Sequence, residues 1–125
     1  MLTFICYPRC TTCQKAKTLL DSFHARYETR DIKTDNPNYV ELKAWLALSE
    51  LPVRKFFNTS GVLYKSLALK EKLRVMSDDE CLKLLATDGM LVKRPLLVGE
   101  CRVLVGFNRD EWESVFTEHD RKNLI

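Results

Sequence analysis

The spacing of apolar residues changes along the first third of the chain. Residues 2–7 are a run of β-forming side chains that Pro8 ends, which predicts a first strand. Apolar residues then recur at three- and four-residue intervals: Cys13, Ala16, Leu19, Leu20 and Phe23. This spacing, with lysines on the other face, predicts an amphipathic helix over residues 11–23. Residues 27–32 alternate and predict a second strand. A segment of roughly thirty residues is long enough for a crossover helix to join two parallel strands.

The middle of the chain, at about residues 36–90, has helical patterns. Asn36 before Pro37 predicts a helix start, because asparagine caps helices and proline suits their first turn. An apolar stripe follows and ends near Ser49: Tyr39, Leu42, Trp45 and Leu46. Residues 51–57 predict a second short helix, and a further helical piece is expected within residues 62–69.

Two capping signals predict later helices. Ser77 with Glu80 forms a capping box, in which the serine and the glutamate satisfy first-turn amides reciprocally. The helix that it opens is expected to stop at Asp88-Gly89. Asn108 with Glu111 repeats the pattern and predicts a last helix, which carries the apolar residues Trp112, Val115 and Phe116.

Two short apolar runs near the C-terminus, residues 96–98 and 102–105, are separated by a link of hairpin length. The order is therefore β-α-β, a helical insert and β-β-α. This is the layout of a thioredoxin-like α/β fold, in which a mixed β-sheet is flanked by helices. No repeat or linker divides the chain, so we expect one domain over residues 1–125, with the insert at about residues 36–90. The polar residues 118–125 are expected to fray.

Charge and cysteine content narrow the classes of function. The chain has 125 residues, and its 20 Lys and Arg against 17 Asp and Glu give a net charge of +3. This nearly even charge balance gives no reason to expect direct binding to nucleic acid or to a membrane. Five cysteines are an odd number for a disulfide-stapled secreted protein, and the first residues are not those of a signal peptide. We therefore expect a cytoplasmic protein whose thiols stay reduced.

Cys10 and Cys13 are the candidate reactive residues because of where they lie. Cys10 follows the first predicted strand at the start of the first predicted helix, where free amides and the helix dipole stabilise a thiolate. Arg9 and Lys15 add positive charge nearby. Cys13, one turn further on, lies on the same helix face and can close a disulfide. Cys10 is then the nucleophile and Cys13 the resolving thiol.

Two other interpretations of this pair remain open, half of a zinc site and two inert thiols. A structural zinc site needs two more ligands, and the other candidates are scattered singly: Cys81, Cys101, His24 and His119. We therefore expect no metal and no other cofactor, and we assign no catalytic base. Cys6 and Cys81 are predicted to be packing residues. Cys101, in the hairpin link, is the one that could be exposed.

Three motifs together resemble the ArsC/Spx family, which contains arsenate reductases and Spx-type transcription regulators. They are YPRCTTCQKA at residues 7–16, the Arg94-Pro95-Leu96 step, and VGFN at residues 105–108. The resemblance covers nearly the whole chain. Residues 57–61 and 84–91 also resemble an arsenate-reductase-like subgroup of this family.

The resemblance implies a thioredoxin-like sheet with a helical insert and a cis-proline at Pro95. It also implies that Arg94 lies against Cys10 and stabilises its thiolate or a bound oxyanion, which backbone amides of the first helical turn would cradle. The catalytic set is then Cys10, Cys13 and Arg94, and the set that binds the oxyanion and shapes the site is Thr11, Thr12 and Pro95.

The chain departs from both branches of the family at particular positions. Glutaredoxin-coupled arsenate reductases use three arginines around the oxyanion, and only Arg94 matches here. Asn58 and Phe107 stand near the places of the other two. Those enzymes also lack a cysteine at the place of Cys13. The Spx-type regulators share both cysteines and Arg94, but Leu51 stands where they carry a glycine important for contact with RNA polymerase.

These residues lead us to expect a thiol–disulfide oxidoreductase of arsenate-reductase-like type. Its substrate would be a small oxyanion such as arsenate, or a thiol or disulfide, and its reductant glutaredoxin, thioredoxin or glutathione. The alternative is an Spx-like redox-sensing transcription regulator that binds RNA polymerase, with a disulfide between Cys10 and Cys13 as its switch.

Overall fold

Four strands form one mixed sheet in the order β2-β1-β3-β4. Their bounds are Leu2–Cys6 for β1, Tyr27–Asp31 for β2, Leu96–Val98 for β3 and Val103–Val105 for β4. β1 and β2 are parallel, whereas β3 is antiparallel to both of its neighbours. The computed structural model describes residues 1–116, so the predicted tail at 118–125, with His119, lies outside the described residues.

Within residues 1–116, six α-helices accompany the sheet. They are α1 (Thr11–Ser22), α2 (Tyr39–Ser49), α3 (Val62–Ser66), α4 (Leu69–Lys72), α5 (Asp78–Leu85) and α6 (Arg109–Val115). Short 3-10 helices span Val53–Phe56 and Gly89–Leu91. The observed order is β-α-β, helical insert, β-β-α. The predicted thioredoxin-like α/β fold is therefore confirmed. Among residues 1–116, no helix is both long and apolar enough to cross a membrane.

Both faces of the sheet are buried, and successive side chains of each strand point to opposite faces. On one face, β1 residues such as Phe4 pack with α1 and α6, and Trp112 is fully buried there. On the other face, Ile5 and Leu96 pack against the helical insert. Phe4 and Trp112 meet edge to face, with ring centroids 6.3 Å apart. The position of α1, which carries both cysteines, is thus fixed by a buried apolar layer.

Several predicted helix boundaries in the insert differ from the observed ones. The N-cap of α2 is Asn38 and not Asn36, because Asn38 forms a complete capping box with Glu41. The reciprocal pair satisfies two free amides, which outweighs the proline signal after Asn36. The Asn36 side chain instead donates to the Ala86 carbonyl at 2.9 Å. Ala68, in the left-handed region at φ 54°, separates α3 from α4 within the single helical piece expected at residues 62–69.

The insert returns to the sheet beside the start of α1. Phe57 and Val92 form an isolated antiparallel bridge. On either side of it, the Asn58 amide donates to the Leu91 carbonyl at 2.8 Å, and the Lys93 amide donates to the Phe56 carbonyl at 2.7 Å. These bonds fix the backbone on both sides of the bridge and place Asn58 and Lys93 next to the predicted site.

Candidate functional site

Cys10 is the N-cap residue of α1, so the predicted strand-then-helix placement is observed. Its backbone is extended, at φ −87° and ψ 119°, and its amide donates to the Tyr7 carbonyl at 2.9 Å. The Cys10 carbonyl accepts the first helical bond, from Gln14 at 3.2 Å. The turn at Tyr7 therefore presents the half-buried thiol to the unsatisfied amides of the first helical turn.

Several groups together lower the pKa of Cys10. Partial burial opposes ionisation, but this is outweighed by the backbone amide and thiol of Cys13, the amide of Thr12 and the charge of Arg94. The sulfur makes no side-chain capping bond of ordinary geometry, so these amides act on it as nearby dipoles. A lowered pKa gives Cys10 more thiolate at neutral pH than an ordinary thiol has, and the thiolate is the reactive form.

The pKa of Cys13 is shifted in the opposite direction to that of Cys10. Its side chain is 1% exposed, and burial raises its pKa to about 12, with the nearby Cys10 adding to that effect. The Tyr7 amide donates to its sulfur at 3.5 Å and offsets part of the burial. Cys13 is therefore a protonated thiol in the resting protein, and its S–H can stabilise the Cys10 thiolate.

Arg94 and Pro95 lie between the insert and β3. The Arg94-Pro95 peptide bond is cis, as the resemblance implies. The Arg94 guanidinium lies over the Tyr7 ring, 5.3 Å from its centroid. Its Nη1 atom is buried and has no hydrogen-bond partner among residues 1–116. A buried guanidinium nitrogen without a partner is a donor available to an anion beside Cys10.

These residues open onto a cleft of about 700 Å³, which has Cys10 and Arg94 in its walls. Thr12 also lines it, whereas Thr11 is exposed and is not among the lining residues. The amides that lower the pKa of Cys10 belong to Thr12 and Cys13. The binding of an oxyanion by the Thr11 and Thr12 amides stays a prediction.

The cleft is also lined by residues that were not predicted to belong to the site, among them Lys93 and Asn108. Lys93 precedes the arginine-proline step directly, and that adjacency was the available signal. Asn58 and Phe107, which stand near the places of the family's other two arginines, line the cleft as well. Within residues 1–116, no three His, Cys, Asp or Glu side chains converge into a metal site.

Gly106 connects the site to the sheet and to α6. It has φ +72°, a conformation that glycine adopts at little cost. Its amide donates to the Pro95 carbonyl at 2.8 Å, and its carbonyl accepts from Trp112 Nε1 at 3.1 Å. A Cβ atom at this position would lie 3.0 Å from Lys93 Cε. The absence of a side chain at Gly106 thus leaves room for Lys93 in the wall of the cleft.

A thiol on the N-cap residue of a helix, a buried second thiol one turn on and an arginine–cis-proline step define a thioredoxin-like protein with a paired-cysteine site. The model of the ArsC family matches residues 6–115. The chain belongs to the ArsC family.

Relatives within this family carry different names. The chain is 50% identical to the uncharacterized protein YusI of Bacillus subtilis, over 90% of this chain and 95% of that protein. It is 32% identical to the global transcriptional regulator Spx of Enterococcus faecalis, over 89% and 83% of the two chains. A solved structure described as a possible arsenate reductase, from Streptococcus mutans, superposes with a TM-score of 0.83. It is 46% identical and covers 90% of this chain and 98% of that one.

Proposed function

We propose that the chain is a thiol–disulfide oxidoreductase in which Cys10 is the nucleophile and Cys13 the resolving thiol. The observation that carries the proposal is the opposite electrostatics of the two thiols, with the pKa of Cys10 lowered and that of Cys13 raised to about 12. A thiol pair with one ready thiolate and one protonated partner matches what a two-step exchange needs.

In the first step, the Cys10 thiolate attacks one sulfur of a substrate disulfide. A Cys10–substrate disulfide forms, and the other substrate sulfur leaves as a thiolate that takes a proton from water. Cys10 is then neutral, so its contribution to the high pKa of Cys13 disappears. Cys13 loses its proton to water and attacks the Cys10 sulfur, which forms the Cys10–Cys13 disulfide and releases the second substrate thiolate. The substrate gains two electrons, and an external thiol such as glutathione, glutaredoxin or thioredoxin returns the protein to the dithiol.

Arg94 and Pro95 have supporting roles in this proposal. The charge of Arg94 favours the Cys10 thiolate, and its unpartnered Nη1 can donate to an oxyanion or to a departing thiolate. Pro95 shapes the site through its carbonyl bond to Gly106. The same arrangement supports attack of Cys10 on a small oxyanion such as arsenate, with Thr12 at the cleft wall. A cytoplasmic location fits a site that needs reduced thiols.

Trapping experiments on purified variants test the proposal. With a disulfide-bonded peptide as substrate, Cys13→Ser accumulates a mixed disulfide at Cys10, which intact-mass spectrometry detects, whereas Cys10→Ser is inactive. Cys101→Ser, which removes an exposed thiol that does not line the cleft containing Cys10, is the matched control and keeps the exchange activity. If Cys10→Ser retains exchange activity, the proposal is wrong. Parallel assays of arsenate with glutathione and glutaredoxin, and with thioredoxin, decide whether an oxyanion is also reduced.

The identity to Spx supports a second candidate, a redox-switched regulator that binds RNA polymerase. Leu51 stands at the position where Spx-type regulators carry a glycine that is important for contact with RNA polymerase. Its side chain is 38% exposed there. A pull-down with the polymerase α subunit separates the candidates. Retention that depends on the Cys10–Cys13 disulfide favours the regulator. No retention by wild type or by a Leu51→Gly variant favours the enzyme.

A further inference from the structure

A second cleft, of about 650 Å³, adjoins the cleft that contains Cys10. It lies between the C-terminal end of α2, the 3-10 helix Val53–Phe56 and the edge strand β4. The two clefts have Lys93, Val105 and Asn108 in common. A ligand held at Cys10 can therefore continue past Lys93 into the second cleft without leaving the surface.

The second cleft is rich in positive charge. Four cationic residues line it, Arg54, Lys55, Lys93 and Arg102, against two acidic ones, Glu50 and Glu111. This local excess of two positive charges is most of the net charge of +3 that the whole chain carries. None of the four cations forms an ion pair with a carboxylate among residues 1–116. A concave surface with unpaired charges of one sign attracts a ligand of the opposite sign.

Five cations in the described chain pair with carboxylates, and none of the five lines the second cleft: Lys17, Arg30, Arg74, Lys83 and Arg109. What distinguishes the second cleft is that four cations without such a partner among the described residues lie together in one concave surface. Arg30 binds Glu41 through two bonds, of 2.6 and 2.9 Å. Lys17 pairs with Asp21 at 3.0 Å, and Arg109 with Glu113 at 2.9 Å. In the second cleft, by contrast, Arg54 and Arg102 are exposed and have no side-chain hydrogen bond within residues 1–116. Free guanidinium groups are suited to carboxylates, which they bind in a bidentate manner.

We propose that the second cleft binds an acidic stretch of a polypeptide whose disulfide bond is attacked by Cys10. This inference rests on the proposed exchange activity and adds the substrate class, a protein disulfide flanked by Asp and Glu. The disulfide lies against Cys10 and Arg94, the chain passes Lys93, and the acidic side chains reach Arg54 and Arg102. Exchange follows the two steps given above, so the two electrons that reduce this disulfide come from Cys10 and Cys13.

The probe for the test is a fluorescent twelve-residue peptide whose single cysteine carries a methyl disulfide and is followed by a run of Glu residues. A second peptide has Gln in place of every Glu. Exchange by the wild-type protein is followed by mass spectrometry, and binding is followed by anisotropy with a Cys10→Ser/Cys13→Ser variant that cannot react. We expect the Glu peptide to exchange about tenfold faster than the Gln peptide at low ionic strength, and the advantage to shrink as salt is added.

Charge reversal locates the binding surface. Arg54→Glu/Arg102→Glu is expected to remove the preference for the Glu peptide in both exchange and binding, and to leave exchange of the Gln peptide unchanged. Lys70→Glu/Lys72→Glu changes the net charge equally on α4, outside the second cleft, and should keep the preference. Oxidised glutathione, which has no run of acidic side chains, should be reduced equally by both variants.

Each outcome tests either the acidic-peptide docking surface or the proposed exchange activity. Equal rates and equal binding for the Glu and Gln peptides in the wild type overturn the inference, while exchange itself keeps the proposed function. A preference that survives Arg54→Glu/Arg102→Glu, or an equal loss with oxidised glutathione, also overturns it. If no peptide is exchanged but the anisotropy preference depends on Arg54 and Arg102, the docking surface is supported and the proposed oxidoreductase function is wrong.

Discussion

Alkylation with iodoacetamide should separate Cys10 from Cys13 by a large ratio of rates. With a pKa of about 12, Cys13 is ionised in about one molecule in 10⁴ at pH 8, whereas a free thiol of pKa about 8.5 is about one-quarter thiolate. Ionisation alone therefore makes Cys13 slower than free cysteine by about three orders of magnitude, and its 1% exposure slows it further. Cys10, with a lowered pKa, should react at a pH where free cysteine is still protonated.

The contributions to the thiolate of Cys10 predict an order among variants. Cys13→Ala removes the donating S–H and should raise the pKa of Cys10 more than Arg94→Gln does, because the Cys13 thiol has the larger effect. Arg94→Lys keeps the charge and should leave the pKa closer to wild type. Arg9, which the sequence analysis expects to add charge near Cys10, is exposed and is not among the groups that lower its pKa, so Arg9→Gln is the matched control.

The assay is labelling across a pH series, with each cysteine resolved by peptide mass spectrometry and free cysteine added as an internal standard. A labelling midpoint for Cys10 at or above that of free cysteine would refute the electrostatic reasoning. Labelling of Cys13 at a rate close to that of Cys10 would refute it as well, and a larger shift in Arg9→Gln than in Arg94→Gln would remove the role given to Arg94.

Three further predictions concern stability. Gly106→Ala should lower the free energy of unfolding by about 1–2 kcal/mol, because alanine is disfavoured at positive φ and would crowd Lys93. A Lys93→Ala background removes the crowding, so Gly106→Ala should still cost about 1 kcal/mol there in the same urea titration, and no loss would contradict the conformational explanation. Glu41→Gln should cost about 1–2 kcal/mol at pH 7, since it weakens the partly exposed bond to Arg30. The pKa of Glu41 is lowered chiefly by Arg30, so its stabilisation is present above the unfolded value near pH 4.3 and is lost as pH falls. Urea titrations from pH 7 to 3 should show a shallower acid loss in Glu41→Gln than in wild type.

The parts of the fold that local signals specify were predictable. Runs of β-forming or apolar residues identified β1, β3 and β4, alternation identified β2, and helical spacing identified α1. The capping box at Ser77 and the Asn108 cap marked α5 and α6, because a cap is a bond between near neighbours in sequence. The start of α2 was misplaced because the prediction relied on Asn36 before Pro37. Asn38 and Glu41 have the same three-residue spacing that correctly predicted α6 at Asn108 and Glu111.

The composition of the site depends on contacts that sequence spacing does not show. Lys93 and Asn58 reach the Cys10 cleft through backbone bonds between residues 56–58 and 91–93, more than thirty positions apart in the chain. The high pKa of Cys13 follows from its burial in the apolar layer formed by residues of β1 and α1. A CxxC spacing alone does not determine that burial. The cationic second cleft likewise assembles residues from α2, a 3-10 helix and β4.

The charges around Cys10 bear on which substrate it meets. A phosphate-like oxyanion carries close to two negative charges at neutral pH and is bound best by several fixed cations. Here the wall of the Cys10 cleft has Arg94 and Lys93 as its cations, and neutral Asn58 and Phe107 stand near the places where the oxyanion-reducing relatives have arginine. A disulfide is uncharged before attack and needs stabilisation only for the departing thiolate, which the single free Nη1 of Arg94 can provide. Arg54 and Arg102 line the second cleft and not the cleft that contains Cys10, so in the proposed complex their charge acts on the chain attached to the disulfide. Few cations beside the reacting thiol and a separate cationic cleft favour a disulfide over an oxyanion as the substrate.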